Sequence, residues 1–389
     1  MELPKQKGAG LMKLNTSEQI RVDVIIKYLN GDIYLQDALA IINLSERHFR
    51  RILKSFRMFG FESIRHGNTN KAPKNKISDK TRNEITKQYR LKYFDLNVSH
   101  FREKLLEDPI FMDEHIVPSY QTIRRILIAE NLIKHSVQRQ KRAYRPRKRY
   151  EKEGLMVQID GSHHHWIRGH EQFCLTAAID DATGKVLAGK FTKTETTFAA
   201  MDVVKDIVTK KGCFQMLYSD KAGIYGGGKR VGYTNMDRAM KELGIIPVQA
   251  STPQAKGRVE RLFKTLQDRM VSEMRLRKIK TIDEANRFFN EEYIDYFNKK
   301  FATTVTSDCY RPIDENTDLK EVFTMREQRI ISNGNFFSYE SKRYELKTDV
   351  CYARKPIELR FYPSGEMKAF VMGSEMELEA QYQGIKNAA

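Results

Sequence analysis

From Met156 to Trp166 the chain reads MVQIDGSHHHW, from Met216 to Gly223 MLYSDKAG, and from Ala255 to Gln267 AKGRVERLFKTLQ. In the first two stretches an apolar run with strand character ends on an aspartate, Asp160 and Asp220. The third has helical periodicity: Val259, Leu262, Phe263, Leu266 and Met270 recur on one face, while Glu260, Lys264 and Gln267 share another at one-turn spacing. Working outward, the pattern predicts strands over 155–159, 173–179, 186–192, 214–218 and 245–248, with a turn at 181–184. Helices are predicted over 197–210, 234–243, 256–279 and 282–298. Three consecutive strands followed by alternating helices and strands predict an α/β core, a mixed sheet with helices on both faces. In such a sheet the first and fourth strands can be neighbours, which brings Asp160 and Asp220 to one edge of a crevice. Glu260 joins them if its helix crosses that edge.

Three converging carboxylates repel one another, and divalent ions that prefer oxygen ligands, such as Mg²⁺, relieve the repulsion. Two such ions about 3.5 to 4 Å apart stabilise both the attacking and the leaving oxygen of a phosphodiester displacement.

The formal charge is +18 and the pI near 9.5, a single-sign field that favours a polyanionic partner. Residues 1–150 carry +15 of that charge, so the front of the chain is the expected main contact with it. There, Ile20, Val24, Ile25 and Leu29 give a first helix with Ser17 as its cap and Gly31 as its stop. A helix over 35–42, a turn at Asn43 and Leu44, and a helix beginning after Ser45 and reaching Phe59 make a helix-turn-helix. Phe49, Ile52, Leu53 and Phe56 face inward, leaving Arg47, His48, Arg51 and Lys54 where a DNA-reading helix needs donors or where a solvated face carries charge. A polar basic linker over 65–76 leads to helices over 78–92, 99–106 and 119–130. In the last of these Tyr120, Ile123, Ile126 and Leu127 form the inward stripe, and Gln121, Thr122, Arg124 and Arg125 remain available for DNA. Residues 134–149 hold eight Lys and Arg, among them Arg142, Arg145 and Arg147, around Tyr144 with no acid. That composition suits a phosphate-tracking strap or a solvated linker that orders on nucleic acid.

Beyond Pro312, short extended runs over 335–339, 343–346, 357–361 and 367–372 predict a small β-barrel. The expected organisation is therefore multidomain. It comprises all-α helix-turn-helix domains at 1–66 and 77–133, a basic linker at 134–152, an α/β core at 153–302 and a small barrel at 325–380.

Other motifs carry less. Cys174, Cys213, Cys309 and Cys351 are scattered without the paired spacings of zinc sites or disulfide frameworks. The triplet His163, His164 and His165 sends alternate rings to opposite faces of an extended segment and cannot close a tetrahedral set, so it is expected to line the crevice near Asp160. Asp180 and Asp181 precede Ala182, Thr183 and Gly184 and read as turn chemistry. Trp166 is a core residue or a platform for an unpaired base. The glycines at 226–228 lack the spacing of a nucleotide-cradling loop, so no nucleotide cofactor is expected. No apolar run has the length of a membrane span and the first residues lack the apolar centre of a secretion signal, so a cytoplasmic location with no membrane partner is expected.

STPQAKGRVERLFKTLQDR at 251–269, QIDGSHHHW at 158–166 and AAIDDATGK at 177–185 are similar to motifs of the retroviral integrase superfamily, specifically the bacterial insertion-sequence transposases. The resemblance implies a ribonuclease-H-like core over residues 150–300, and the tandem helical front and terminal strands resemble the layout of phage Mu transposase. It carries the catalytic, metal-holding role onto Asp160, Asp220 and Glu260. It implies Mg²⁺ or Mn²⁺, two ions per site, cleavage at the 3′ ends of a transposon's terminal inverted repeats, strand transfer into target DNA, and a homo-oligomer on DNA. Lys264 matches a basic position that binds end DNA in integrases; Arg258 and Arg261 flank Glu260 and either contact phosphate or are solvated. Two positions depart from the pattern. Asp220 and Glu260 are separated by 39 residues, more than the mid-thirties of the family, and Gln267 stands where a basic residue is frequent. Two alternatives remain open at this point: a ribonuclease-H-fold nuclease that only hydrolyses, and a DNA-binding regulator without catalysis.

Overall fold

The computed structural model describes residues 15–65, 76–109, 111, 117–134, 148–219, 234–249 and 257–381. The chain divides into two compact units, Met1–Thr81 and Arg82–Ala389.

In the first unit, helices α1 (Thr16–Asn30), α2 (Leu35–Ile42) and α3 (Glu46–Phe59) surround Val22, Ile25, Ala38, Phe49, Leu53 and Phe56. The cap of α1 is Asn15 rather than Ser17: the Asn15 carboxamide accepts the Glu18 N–H at 2.9 Å while Glu18 returns a bond to the Asn15 N–H. Gly31 ends the helix in the left-handed region, at φ 84°. Ser45 occupies the cap position of α3, but its side chain makes no capping bond.

Helix α4 (Asp79–Leu91) starts at the end of the first unit and runs into the second, which continues with α5 (Val98–Glu107) and α6 (Tyr120–Ala129). Ser119 caps α6 through the Thr122 N–H, and Ile123, Ile126 and Leu127 are buried as expected. Tyr120 is not: as the first residue of the helix, it has no preceding turn to lie against and is 41% exposed.

A five-stranded sheet follows, in the order β3-β2-β1-β4-β5. Its strands are β1 (Met156–His164), β2 (Phe173–Asp180), β3 (Val186–Thr192), β4 (Met216–Ser219) and β5 (Ile246–Gln249). The first three pair antiparallel; β4 runs parallel to β1, with Met156 opposite Met216 and Gln158 opposite Tyr218, and β5 continues in parallel. Strand β1 extends beyond its expected end to His164, because β2 continues to pair with it as far as Phe173. One face packs on α7 (Thr197–Lys211) and α8 (Asn235–Glu242) through Val157, Ile159, Val204, Phe214 and Met240. The other packs on α9 (Gly257–Leu276), α10 (Ile282–Phe288) and α11 (Ile294–Phe301) through Leu175, Ala177, Phe191, Leu262, Leu266 and Phe289. Helices on both faces of a mixed sheet are the architecture the sequence pattern predicts.

Edge strand β3 has outward-facing peptide groups that no strand satisfies, and asparagines supply the partners. Asn286 brackets the N–H and C=O of Phe191 at 2.7 and 3.0 Å, Asn290 those of Gly189 at 3.4 and 2.8 Å, and Asn298 those of Val186 at 2.8 and 2.8 Å. Eight α-helical residues overshoot two full turns by about 80°. A wider π turn at Phe289–Tyr293 takes up much of that overshoot and keeps Asn298 over the strand. Asn298→Leu, which leaves both Val186 groups without a partner, is expected to lower stability by about 1–3 kcal/mol, read from the denaturant midpoint.

The C-terminal half of α9 bears on α5. Glu273, nearly inaccessible, accepts from His100 at 2.7 Å and Lys104 at 2.9 Å and pairs with Arg277. Burial pushes its carboxyl up, but the hydrogen bonds and charges of His100 and Lys104 outweigh that and hold it at about 2. A depressed carboxyl contributes stability above its ordinary 4.5 and loses it as pH falls toward the folded value. The melting difference between wild type and Glu273→Gln should therefore shrink between pH 4.5 and about 2.

After the short α12 (Leu319–Val322), strands β6 (Met325–Ile330), β9 (Pro356–Phe361), β10 (Met367–Val371) and β11 (Ser374–Met376) form one antiparallel sheet. Strands β7 (Phe336–Tyr339), β8 (Lys342–Leu346) and β12 (Leu378–Gln381) form another. They close over Ile331, Phe337, Leu346, Ile357, Leu359 and Val371. This corrects the expected barrel: among the described residues neither ladder closes into a ring. The strands are three to six residues long, and their apolar faces are satisfied by stacking one small sheet on the other. No helix among the described residues is long and apolar enough to cross a membrane.

Candidate active site

Alternation along β1 decides which side chains meet α9. Val157 and Ile159 enter the core under α7 and α8, so Gln158, Asp160 and Ser162 belong to the opposite face. That face is tied to α9 at two places. Near the start of the helix, the Arg258 guanidinium donates to the Asp181 carbonyl at 2.6 Å and pairs with its carboxylate, which in turn accepts from Gln158 Nε2 at 2.8 Å. Farther along, Gln267 Nε2 donates to Ser162 Oγ at 3.1 Å. Asp160 lies between Gln158 and Ser162, and Glu260 lies between Arg258 and Gln267. Helix and strand thus run alongside each other with both acidic residues inside the same pair of ties. Glu260 and Lys264 are exposed and share the helix face of Gln267, the face that reaches β1. Asp160 is half-buried, and its carboxylate accepts the Gly161 N–H at 3.1 Å.

Sequence reading missed a further acid here. A Cβ on Gly161 would lie 2.6 Å from Glu195 Oε1 and 3.2 Å from Cys174 Sγ, so Glu195, from the segment between β3 and α7, lies over the backbone next to Asp160. Burial first, then the charge of Glu195, pushes the Cys174 thiol up to about 11, with Asp160 adding to the push. Cys174 is accordingly a neutral thiol near neutral pH. The signal for Glu195 was an acid beside Thr196, the cap of α7, whose hydroxyl accepts the Ala199 N–H at 3.1 Å. Nothing in the local pattern told that this cap abuts β1.

Asp220 lies outside the described residues, as do Arg142, Arg145 and Arg147. Strand β4 is described up to its buried last residue, Ser219. Among the described residues no group of three His, Cys, Asp or Glu side chains is placed to hold a metal ion. His163 and His165 are exposed, and His164 stands edge-on to Trp166 at 5.3 Å between centroids. Trp166 is fully buried and its indole N–H donates to the Ser162 carbonyl at 3.1 Å, so it packs the core beneath the site and offers no platform for a base. Asp180 and Asp181 are likewise structural. Asp180 accepts from the Thr183 N–H at 2.7 Å, its hydroxyl at 2.6 Å and the Gly154 N–H at 2.9 Å, and burial raises its pKa.

Arg258, engaged with Asp181, is committed to the fold, whereas Arg261 stands exposed beside Lys264. On α3, Arg47, Arg51 and Lys54 are exposed and His48 half-buried. On α6, Gln121 and Arg125 are exposed, and Thr122 and Arg124 half-buried.

No family model matches the chain. A Sinorhizobium fredii protein assigned as transposase y4bF is 32% identical over 347 residues, spanning 87% of this chain and 74% of that protein. The transposase for insertion sequence IS1202 of Streptococcus pneumoniae is 32% identical over 360 residues, 81% of this chain and 75% of the relative. Among solved structures, a simian T-cell lymphotropic virus intasome in complex with PP2A regulatory subunit B56 gamma aligns at TM-score 0.35 and 15% identity over 67% of this chain and 91% of that one. The HTLV-2 integrase catalytic core domain in complex with magnesium aligns at TM-score 0.31 and 13% identity over 40% and 94%. Identity of 32% sustained over 81–87% of the chain and about three-quarters of each relative identifies the chain as a DNA transposase, a member of the family to which the IS1202 and y4bF proteins belong.

Proposed function

We propose that this transposase works through Asp160, Asp220 and Glu260, cutting the 3′ ends of its transposon and joining them to target DNA. The observation that carries the reading is the pair of ties, Arg258 to Asp181 and Gln267 to Ser162, that bracket Asp160 and Glu260 along one strand and one helix. For Asp220 the support is the parallel register of β4 on β1, described to within one residue of it.

Carboxylate oxygens suit Mg²⁺ or Mn²⁺. When bound, such ions, two in this proposal, offset the repulsion among the carboxylates and stabilise charge on the attacking and leaving oxygens. The chain's own contribution is positional. Strand β1 and helix α9 hold the two described carboxylates on rigid elements, and exposed Arg261 and Lys264 flank Glu260 where DNA phosphates approach. The exposed cations of α3 and the polar face of α6 are proposed to bind terminal-repeat DNA as helix-turn-helix modules, and two transposon ends call for an oligomer.

Incubating the protein with its element's end DNA, with Mg²⁺ or with chelator, tests the reading by product size. Nicked ends and joined products are expected only with the ion. Cleavage without joining would support a nuclease instead, and binding without either product a regulator.

A further inference from the structure

We propose that helices α4, α5 and α6 form a gauge fixed in cis to the helix of Glu260, so that the DNA sequence met by α6 sets which phosphodiester reaches Asp160 and Glu260. The inference rests on the catalytic reading just given and adds a role for the docking contact.

The side of α9 turned toward α5 is tied along two turns to α5 and to the segment that leads into it. Asp268 meets Asn97; Arg269 forks onto Glu103 at 2.7 and 3.3 Å; Glu273 takes His100 and Lys104; Arg275 forks onto Asp95 at 2.8 and 2.7 Å and also donates to the Lys92 carbonyl at 2.8 Å. The Arg168 and Arg275 guanidiniums each lie 4.7 Å from the centre of the Phe94 ring, and Arg168 also pairs with Asp95 at 3.6 Å. Arg269, Glu273 and His100 are buried, so undocking would strand charges that were matched in place, which is costly. Planar two-pronged Arg contacts also fix angle as well as distance.

Helix α5 is thereby held between two partners. Val98, Phe101 and Leu105 are buried in the helical module beside α6, while His100, Glu103 and Lys104 grip α9. The exposed Gln121 and Arg125 of α6 are carried on a body continuous with the helix of Glu260. A DNA register read on one part of a rigid body is transmitted as position to the other. A mere tether would bind the same DNA without choosing the bond to be cut.

Asp95 and Arg275 are the test because their contact is partly open to solvent, and neither is in the catalytic or DNA-binding set. Full-length Asp95→Arg, Arg275→Asp and the double charge swap, each carrying Arg168→Ser so that no second cation faces position 95, are compared with wild type and with Arg168→Ser alone for end binding, melting temperature, nicking rate and nick position at nucleotide resolution. The single variants are expected to bind end DNA yet nick about a hundredfold more slowly and at scattered positions. The swap should restore one position. Single variants that cut the wild-type bond at the wild-type rate overturn the inference, as does a swap that binds and melts like wild type but still scatters its cuts.

Should the single variants fail to fold, Asn97→Cys with Asp268→Cys, closed by oxidation, decides: a locked protein that cuts the usual bond supports the gauge. Nicking lost on closure and regained on reduction refutes it. Asp160→Asn run in parallel separates the two readings, since normal nicking by that variant removes the catalytic assignment and leaves the docking contact untouched.

Discussion

Asp160→Asn is expected to abolish both cleavage and joining, by at least ~10³-fold or about 4 kcal/mol of barrier, while binding of end DNA stays as in wild type. The asparagine keeps the shape of the side chain and can still accept the Gly161 N–H, so β1 and its pairing with β2 are undisturbed. What is lost is a negative oxygen at the place where the proposed cations would be held, on a strand with Ile159 packed beneath it. The binding surfaces proposed on α3 and α6 lie on other elements. A gel-shift with labelled end DNA should therefore show the wild-type affinity, and its salt dependence should stay steep because the phosphate-neutralising Lys and Arg are unchanged. Retained cleavage would remove Asp160 from the chemistry; lost binding would mean that the substitution disturbs more than charge.

Much of this site was legible before any coordinates. Strand alternation and helical periodicity place Asp160 and Glu260 on their elements, because apolar residues repeat at the spacing that burial demands. The prediction that β1 and β4 are neighbours also holds, from Met156 opposite Met216 onward. What stayed hidden depends on tertiary contact. Arg258 and Lys264 look alike in sequence, both basic and near Glu260, yet only Arg258 finds a buried acid, Asp181, brought there by a hairpin turn. Glu195 escaped notice because its place beside Gly161 is set by the crossing from β3 into α7. Trp166 carried two readings that only burial separates. The barrel expectation failed since alternation identifies strands without fixing which edges pair. The grip of α5 on α9 has no local pattern at all: its acids and bases are about 170 residues apart and read as ordinary solvated charge.

Gly189→Val should be strongly destabilising, and the reason connects the edge strand to the helix of Glu260. A Cβ at this position would lie 2.4 Å from Cε1 of Phe289 and 3.2 Å from the Thr176 carbonyl oxygen, so ring or strand must move. The ring has little room: Phe289 is fully buried and stands edge-on to Phe191 at 5.9 Å. Displacing it also pulls Asn290 from the Gly189 peptide groups, so overpacking and a lost bracket add to about 3–5 kcal/mol. That is a large part of a typical domain's 5–15 kcal/mol, and it should appear as a marked fall in melting temperature and denaturant midpoint. The same core contains Val259, Leu262 and Leu266, which seat α9 against Leu175, Ala177 and Phe191 of β2 and β3. The protein that does fold should consequently nick more slowly, because Glu260 is held by a loosened helix. Adding Phe289→Leu removes the ring edge that meets the new methyls and should recover part of both losses, since the two positions share one contact. Independent, additive effects of the two substitutions would show that the clash is relieved elsewhere and that this contact does not couple the sheet edge to the site.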